Sequence, residues 1–180
     1  MSIAAVPSTS GVSLAKEFEE LFREHYQLVY RTAYSVTGSR YDAEDVLQTI
    51  FLRLLRRRLP PDLERNPRGY LYRAAINLSL NTVRARRRQD LTGDVDGLVA
   101  PAVSGRPTQD DEMRRCLVDA IGQLRPRAVE ILILRYEHGL SDAEIAKMLG
   151  KSRGTIAVTL YRARARMKRL MTRATSGGKR

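Results

Sequence analysis

Apolar residues along this chain return every three or four positions, and no run alternates in the way a half-buried strand would, so the pattern predicts helices throughout. Leu14, Phe18, Leu21, Phe22, Val29, Ala33 and Val36 line one side of a helix from Leu14 to Val36, with Tyr26 and Tyr30 beside the stripe and Gly38 as its stop. A second helix, from about Arg40 to Arg57, carries Ala43, Val46, Leu47, Ile50, Phe51, Leu54 and Leu55 inward. Ser39 and Asp42 form a weak capping-box variant at its start. Its other face opens with Asp42, Glu44 and Asp45 and ends in Arg53, Arg56, Arg57 and Arg58, an order that the helix dipole alone explains. Leu59-Pro60-Pro61-Asp62 is a break, and Asn66-Pro67 starts a third helix with a cap and a proline at the first helical position. That helix runs to about Arg88. Leu71, Ala74, Ala75 and Leu78, continuing towards Val83, face inward; Arg68, Tyr72, Arg73, Asn77, Asn81 and Arg84 face outward.

The periodicity then stops. Residues 89–109, rich in Gly and Pro, read as a flexible linker, and a second set of helices follows. Leu117, Ala120, Ile121 and Leu124 make one stripe. Arg125-Pro126 punctuates, and Arg127 to His138 is so apolar that it has to be largely buried before Gly139 ends it. Ser141 with Glu144 is a capping box for a short helix carrying Ile145, Ala146 and Leu149. Gly150 supplies the left-handed stop and Ser152 the next cap. In the last helix Ile156, Leu160, Ala163, Met167 and Leu170 form the buried stripe, opposite Gly154, Val158, Tyr161, Arg162, Ala165, Lys168 and Arg169. Two short helices on a Gly-containing turn, the second one basic, are a helix-turn-helix. The fold class expected is all-α: two small helical domains joined by a flexible linker, residues 14–88 and 110–172, the C-terminal one a helix-turn-helix. Residues 1–13 and 173–180 are read as a disordered lead-in and tail.

Charge adds the partner. The net charge of +12 favours a polyanion, and between Lys151 and Arg173 there are eight Lys or Arg and no acidic residue, where a merely solvated face would mix both signs. No apolar run approaches the roughly 18 residues of a membrane span, so membrane insertion is not expected. The lone Cys116 excludes an internal disulfide framework, fits a reducing cytoplasm, and sits on a helical pattern as a small buried hydrophobe. His25 and His138 have no metal-ligand spacing. No catalytic triad, paired carboxylate or phosphate loop is present, so neither enzyme chemistry nor a cofactor is expected.

With these pieces in place, the chain resembles the extracytoplasmic-function (ECF) group of bacterial RNA polymerase sigma factors, over roughly residues 14 to 172. YDAEDVLQTIFLRLLRR is similar to the helix that docks on the clamp helices of the polymerase's largest subunit. NPRGYLYRAAINLSLNTVRARRR is similar to the segment that melts and reads the −10 element, and the final helix-turn-helix to the −35 reader. The resemblance implies a cytoplasmic protein whose partners are core RNA polymerase, through clamp helices and flap, and promoter DNA; it makes control in trans by an anti-sigma factor the default expectation. It implies polymerase contacts at Asp42, Glu44, Asp45 and Gln48, with Phe51, Leu52 and Arg53 at the edge, and −10 contacts at Asn66, Arg68, Tyr70, Tyr72, Arg73, Asn77 and Arg84. For the −35 element it implies Ser152, Arg153, Gly154, Thr155, Val158, Tyr161, Arg162 and Arg166. The loop from Leu59 to Asn66 would form much of a pocket for an unstacked base.

The chain departs from the family pattern at three places. Tyr70 stands where Trp is usual, and Ile76 where a basic residue is frequent. Ala157, Val158 and Thr159 stand where many relatives carry Lys, Ser or Arg, which removes hydrogen-bonding groups from the recognition helix and leaves thymine-methyl contact to Ala157 and Val158. The competing reading is a stand-alone helix-turn-helix regulator that binds duplex DNA without polymerase. The acidic second helix and the Arg/Asn-bearing third helix count against it.

Overall fold

The computed structural model describes residues 9–56, 60–92 and 108–177, and among these residues there are eight α-helices and no strand. The long first helix, α1, is Thr9–Thr37, so it begins within the stretch read as a lead-in; residues 1–8 lie outside the described residues. Gly38, at φ 67°, turns the chain into α2, Arg40–Arg56, and Ser39 Oγ accepts from the Asp42 amide at 3.3 Å as the cap. A short helix, α3 (Pro61–Arg65), occupies what was read as loop: Pro61 stands at its start, acidic Asp62 and Glu64 fill its first turn, and Leu63 is buried. Helix α4, Pro67–Thr92, starts as expected and runs through the first residues of the predicted linker. Asn66 Oδ1 caps it, accepting from the Gly69 amide at 2.8 Å. The remainder of the linker, residues 93–107, lies outside the described residues.

In the first module α1, α2, α3 and α4 close around Val29, Ala33, Val46, Ile50, Leu63 and Leu71. Burying each large apolar side chain there contributes about 1.5–3 kcal/mol. Phe51 belongs to this core: it is 4% exposed and meets the rings of Phe18 and Phe22 edge to face. Leu55, placed inward by spacing, is instead largely exposed. The second module holds α5 (Gln109–Gly122), α6 (Pro126–Tyr136), α7 (Asp142–Leu149) and α8 (Arg153–Gly177). Helix α8 therefore continues into the expected tail, of which residues 178–180 lie outside the described residues. Ser141 and Glu144 make the reciprocal capping box, and Gly150 takes the left-handed conformation at φ 62°, which an L side chain would adopt only under strain. Ser152 Oγ then accepts from the Thr155 amide at 3.2 Å. Leu117 of α5, expected in the stripe, is exposed, whereas Ala120, Ile121 and Leu124 are buried; Cys116 is half-buried.

The two modules are packed against each other. Val36 of α1 and Tyr72, Ile76, Leu80 and Val83 of α4 share one continuous core with Ile121, Leu124, Val129 and Ile131 of the second module. The approach is close. A Cβ on Gly122 would lie 2.9 Å from Val83 Cγ1, and one on Gly38 would lie 2.8 Å from Val118 Cγ2. This seam corrects one expectation. Tyr72, read as facing outward, is fully buried, because Tyr72, Ile76, Leu80 and Val83 form a second apolar stripe on α4 beside that of Leu71 and Ala75.

Candidate polymerase- and DNA-binding surfaces

Helix α2 buries one side and leaves Tyr41, Glu44, Asp45, Gln48, Leu52 and Leu55 exposed on the other, at spacings that keep them on one strip. Carboxylates, an amide and apolar side chains thus stand together facing solvent. Arg53 is exposed at its edge. Two residues expected on this surface are not available to it. Phe51 is core, and Asp42 turns inward to an ion pair with Arg86, tying α2 to α4.

On α4, Arg68 and Asn77 are exposed, and Asn66, Tyr70, Arg73 and Arg84 are half-buried. Tyr70 and Asn77 line a cavity of about 200 Å³ between α2 and α4, together with Arg53, Leu54, Ala74 and Asn81. The other members of the expected set point to the seam. Tyr72 Oη donates to the Glu130 carbonyl at 2.8 Å, and Asn66 Nδ2 donates to the Met148 carbonyl at 3.1 Å. Arg84 donates through Nε to the Gly122 carbonyl at 3.0 Å and through Nη2 to the Leu124 carbonyl at 2.8 Å. These are carbonyls at and just beyond the end of α5, where a cation is favoured.

In the helix-turn-helix, Ile156, Leu160 and Ala163 are buried, with Met167 and Leu170 packed against the same core. The opposite side presents Arg153, Gly154, Thr155, Val158, Tyr161 and Arg162 to solvent, with Tyr161 74% exposed, and Ser152 and Arg166 are exposed as well. The Ser152 and Thr155 hydroxyls lie 2.9 Å apart, and Arg166 donates to the Gln123 carbonyl at 3.4 Å. Arg164, outside the expected set, stacks over the Tyr136 ring at 5.4 Å.

Comparison with known proteins identifies both modules. Residues 21–89 match the family model for sigma-70 region 2, and residues 114–167 match that for sigma-70 region 4. The ECF RNA polymerase sigma factor SigE of Mycolicibacterium smegmatis is 31% identical over 182 residues, covering 96% of this chain and 68% of that protein. The RNA polymerase sigma-E factor of Streptomyces coelicolor is 30% identical, with 84% of each chain covered. This chain belongs to the ECF group of the sigma-70 family. Among solved structures, the sigma factor RpoE in complex with the anti-sigma factor NepR from Bartonella quintana is 22% identical, with a TM-score of 0.49 over 87% of this chain and 98% of that one. As an ECF sigma factor the chain binds core RNA polymerase, directs it to promoters and is not an enzyme.

The electrostatics of the sigma factor's seam are unusual for so basic a protein. Glu130 is buried on α6; burial raises its carboxyl above the ordinary value of 4.5, an effect that Arg73 and Arg127 only partly offset. Its Oε1 has no hydrogen-bond partner. His138 Nε2 lies 3.1 Å from Thr32 Oγ1 and its ring meets that of Tyr72 edge to face; burial lowers it from the ordinary 6.5. Burial and the Glu130 carboxylate push the Tyr72 phenol far upward, so it stays a donor. Among the described residues no cluster of three His, Cys, Asp or Glu is arranged to hold a metal, and no helix is long and apolar enough to cross a membrane. Sequence reasoning missed Arg86, Glu130 and the Thr32–His138 contact. Each is a long-range pairing with no local spacing signal.

Proposed function

We propose a division of labour among three surfaces of this sigma factor. The exposed strip of α2, centred on Glu44, Asp45 and Gln48 with Leu52 and Arg53, docks on the polymerase clamp helices, where acid and amide groups on a rigid helix steer and fix register against a basic partner. The observation that carries this is the strip itself: an acidic and apolar face with Tyr41 68% and Leu55 59% exposed, on a protein of net charge +12 that otherwise has every reason to show cations to DNA. Arg68, Tyr70, Arg73 and Asn77 hold the opened −10 strand, with Asn66, Tyr72 and Arg84 joining when the seam parts. The cavity lined by Tyr70, Asn77 and Asn81 is the receptacle for one unstacked base. The α8 face, from Ser152 to Arg166, lies in the major groove of the −35 element. There Arg153, Arg162 and Arg166 supply phosphate contacts, and Val158 with Ala157 supplies apolar contact to thymine methyl groups.

This sigma factor acts in the cytoplasm, and its restraint is an anti-sigma protein acting in trans, for which exposed Met113, Leu117 and Tyr136, lining a groove of about 990 Å³, offer apolar surface. Sequencing the 5′ ends of transcripts made by core polymerase with and without this protein tests the reading. New starts preceded by two shared sequence elements are expected. A tight, polymerase-independent footprint by the free chain is the contrary result.

A further inference from the structure

The line of α8 that stands farthest from its core is neutral over its first three turns. Ile156, Leu160 and Ala163 are buried, and the helical positions diametrically opposite them are Gly154, Val158, Tyr161 and Ala165, with Ala157 alongside; all five are exposed. The cations flank this line, with Arg153, Arg164 and Lys168 on one side and Arg162 and Arg169 on the other. The hydroxyls nearby are turned to the helix itself. Ser152 Oγ accepts from the Thr155 amide and shares a proton with Thr155 Oγ1 at 2.9 Å, and Thr159 Oγ1 donates to the Thr155 carbonyl at 2.7 Å. Arg166 leans back to the Gln123 carbonyl. On the line itself only the Tyr161 phenol can hydrogen-bond outward. Gly154 is not required by the fold, since a Cβ there would meet only Ser152 Oγ, at 4.0 Å, and glycine weakens a helix relative to alanine. It removes bulk at the end of a recognition helix that contacts base edges.

We propose that this neutral line reads adjacent thymines of the −35 element through their C5-methyl groups. Val158 and Ala157 lie against the methyls, and Tyr161 is a specificity-determining residue whose hydroxyl bonds to the edge of the neighbouring base pair. The proposal rests on the placement of α8 in the major groove given above. Thymine is the base that puts a methyl group into that groove, and small apolar side chains are its complement. Gly154 to Tyr161 spans about 10.5 Å of helix, or about three base-pair steps, which is room for two thymines and the pair beside them. The flanking guanidiniums carry the phosphate contacts, so sequence choice and salt dependence fall on different side chains.

The test binds holoenzyme, assembled from core polymerase and this chain, to duplexes carrying the upstream element shared by its transcripts. Each thymine of that element is replaced in turn by deoxyuridine, which removes only the methyl. Two adjacent positions are expected to lose about fourfold in affinity each, the value of one apolar carbon returned to water, and the remaining thymines to be indifferent. Val158→Ala should lose this sensitivity at one of the two positions. Tyr161→Phe should flatten discrimination at the neighbouring pair while leaving the salt slope of binding unchanged. Both side chains are exposed, so neither change reaches the core. An upstream element with no adjacent thymines on either strand, or deoxyuridine duplexes that all bind within about twofold of the parent, overturns methyl reading. A deoxyuridine effect of the same size in Val158→Ala also overturns it, by tracing the effect to the shape of the DNA. Unaltered discrimination by Tyr161→Phe removes Tyr161 from the reading. Failure of the groove placement is read separately: a scrambled upstream element that holoenzyme binds as tightly as the parent removes the placement itself.

Discussion

Two carboxylates three residues apart on α2 have opposite fates, and exchanging each for Lys separates docking from folding. Asp45 is exposed and, with Gln48, lies on the strip assigned to polymerase; Asp42 is turned inward, its side chain 14% exposed, in an ion pair with Arg86 of α4. Changing Asp45 and Gln48 together to Lys alters only solvent-facing positions, so the effect on folding is expected within about 0.5 kcal/mol. It makes an acidic and amide patch basic towards a basic partner. Like-charge contact across an interface costs several kcal/mol, so a loss of about 3 kcal/mol, more than a hundredfold in affinity for core polymerase, is expected.

Asp42→Lys should act the other way round. It places an ammonium beside a partly buried guanidinium, and since Arg86 is itself 43% exposed the cost is held to about 1–2 kcal/mol by solvent screening. In a chain of this length that lowers the melting temperature by about 2–8 °C. Co-elution with core polymerase and run-off transcription report the first variant, and thermal melts by circular dichroism report both. The reasoning fails if the double variant still binds polymerase normally, or if Asp42→Lys melts with the wild type while losing polymerase.

Three further outcomes follow from the charges. Arg162→Ala is expected to weaken binding to a −35 duplex at every sequence and to reduce the slope of log K against log salt by about 0.9, one phosphate contact; an unaltered slope means that Arg162 touches no phosphate. Glu130 has a carboxyl raised from 4.5 in the folded chain, so the stability tied to it is present below that value and lost as pH rises through the raised one. At neutral pH Glu130→Gln should therefore stabilise the chain by about 1 kcal/mol, seen as a melting temperature about 2–4 °C higher, and a lower one refutes the burial argument. His138 has the opposite sign. It is lowered from 6.5, facing Thr32 and Tyr72 with Glu137, Arg31 and Arg68 nearby, so seam stability is complete above that value and falls as pH drops below it. Melting measured between about pH 8 and pH 5 should show this loss, and His138→Gln should flatten it.

What was legible in the sequence was local. Ser141 with Glu144, Gly150 and Ser152 set the turn of the helix-turn-helix through backbone groups within a few residues, and the structure places them as read. The stripe of Ile156, Leu160 and Ala163 was equally plain, because a helix with one neighbouring core needs one stripe. Helix α4 misleads for the converse reason. It packs on two sides, and with residues such as Tyr72 and Ile76 on the second side its apolar positions spread around the axis until no single face stands out. Ile76, which replaces a charge expected from the family resemblance, packs in the seam at 1% exposure. The signal was present in the spacing of Tyr72, Ile76, Leu80 and Val83, but reading it required knowing that a second body lay there. Asp42 misleads in another way: nothing local reveals that Arg86, many residues on, turns a docking candidate into a structural tie.

The distribution of charge between seam and surface bears on how the free chain meets DNA. Hydrogen-bonding and stacking groups such as Tyr72 and Asn66 are withdrawn into the seam, whereas Arg153, Arg162, Lys168 and Arg169 of α8 and Arg68 of α4 stay exposed. Phosphate contact needs only exposed cations, whereas base recognition needs hydrogen-bonding and stacking groups as well. The exposed cations are thus open to salt-sensitive, sequence-blind phosphate contact, whereas Tyr72, Asn66 and Arg84, proposed to read an opened −10 strand, donate to protein carbonyls in this structure.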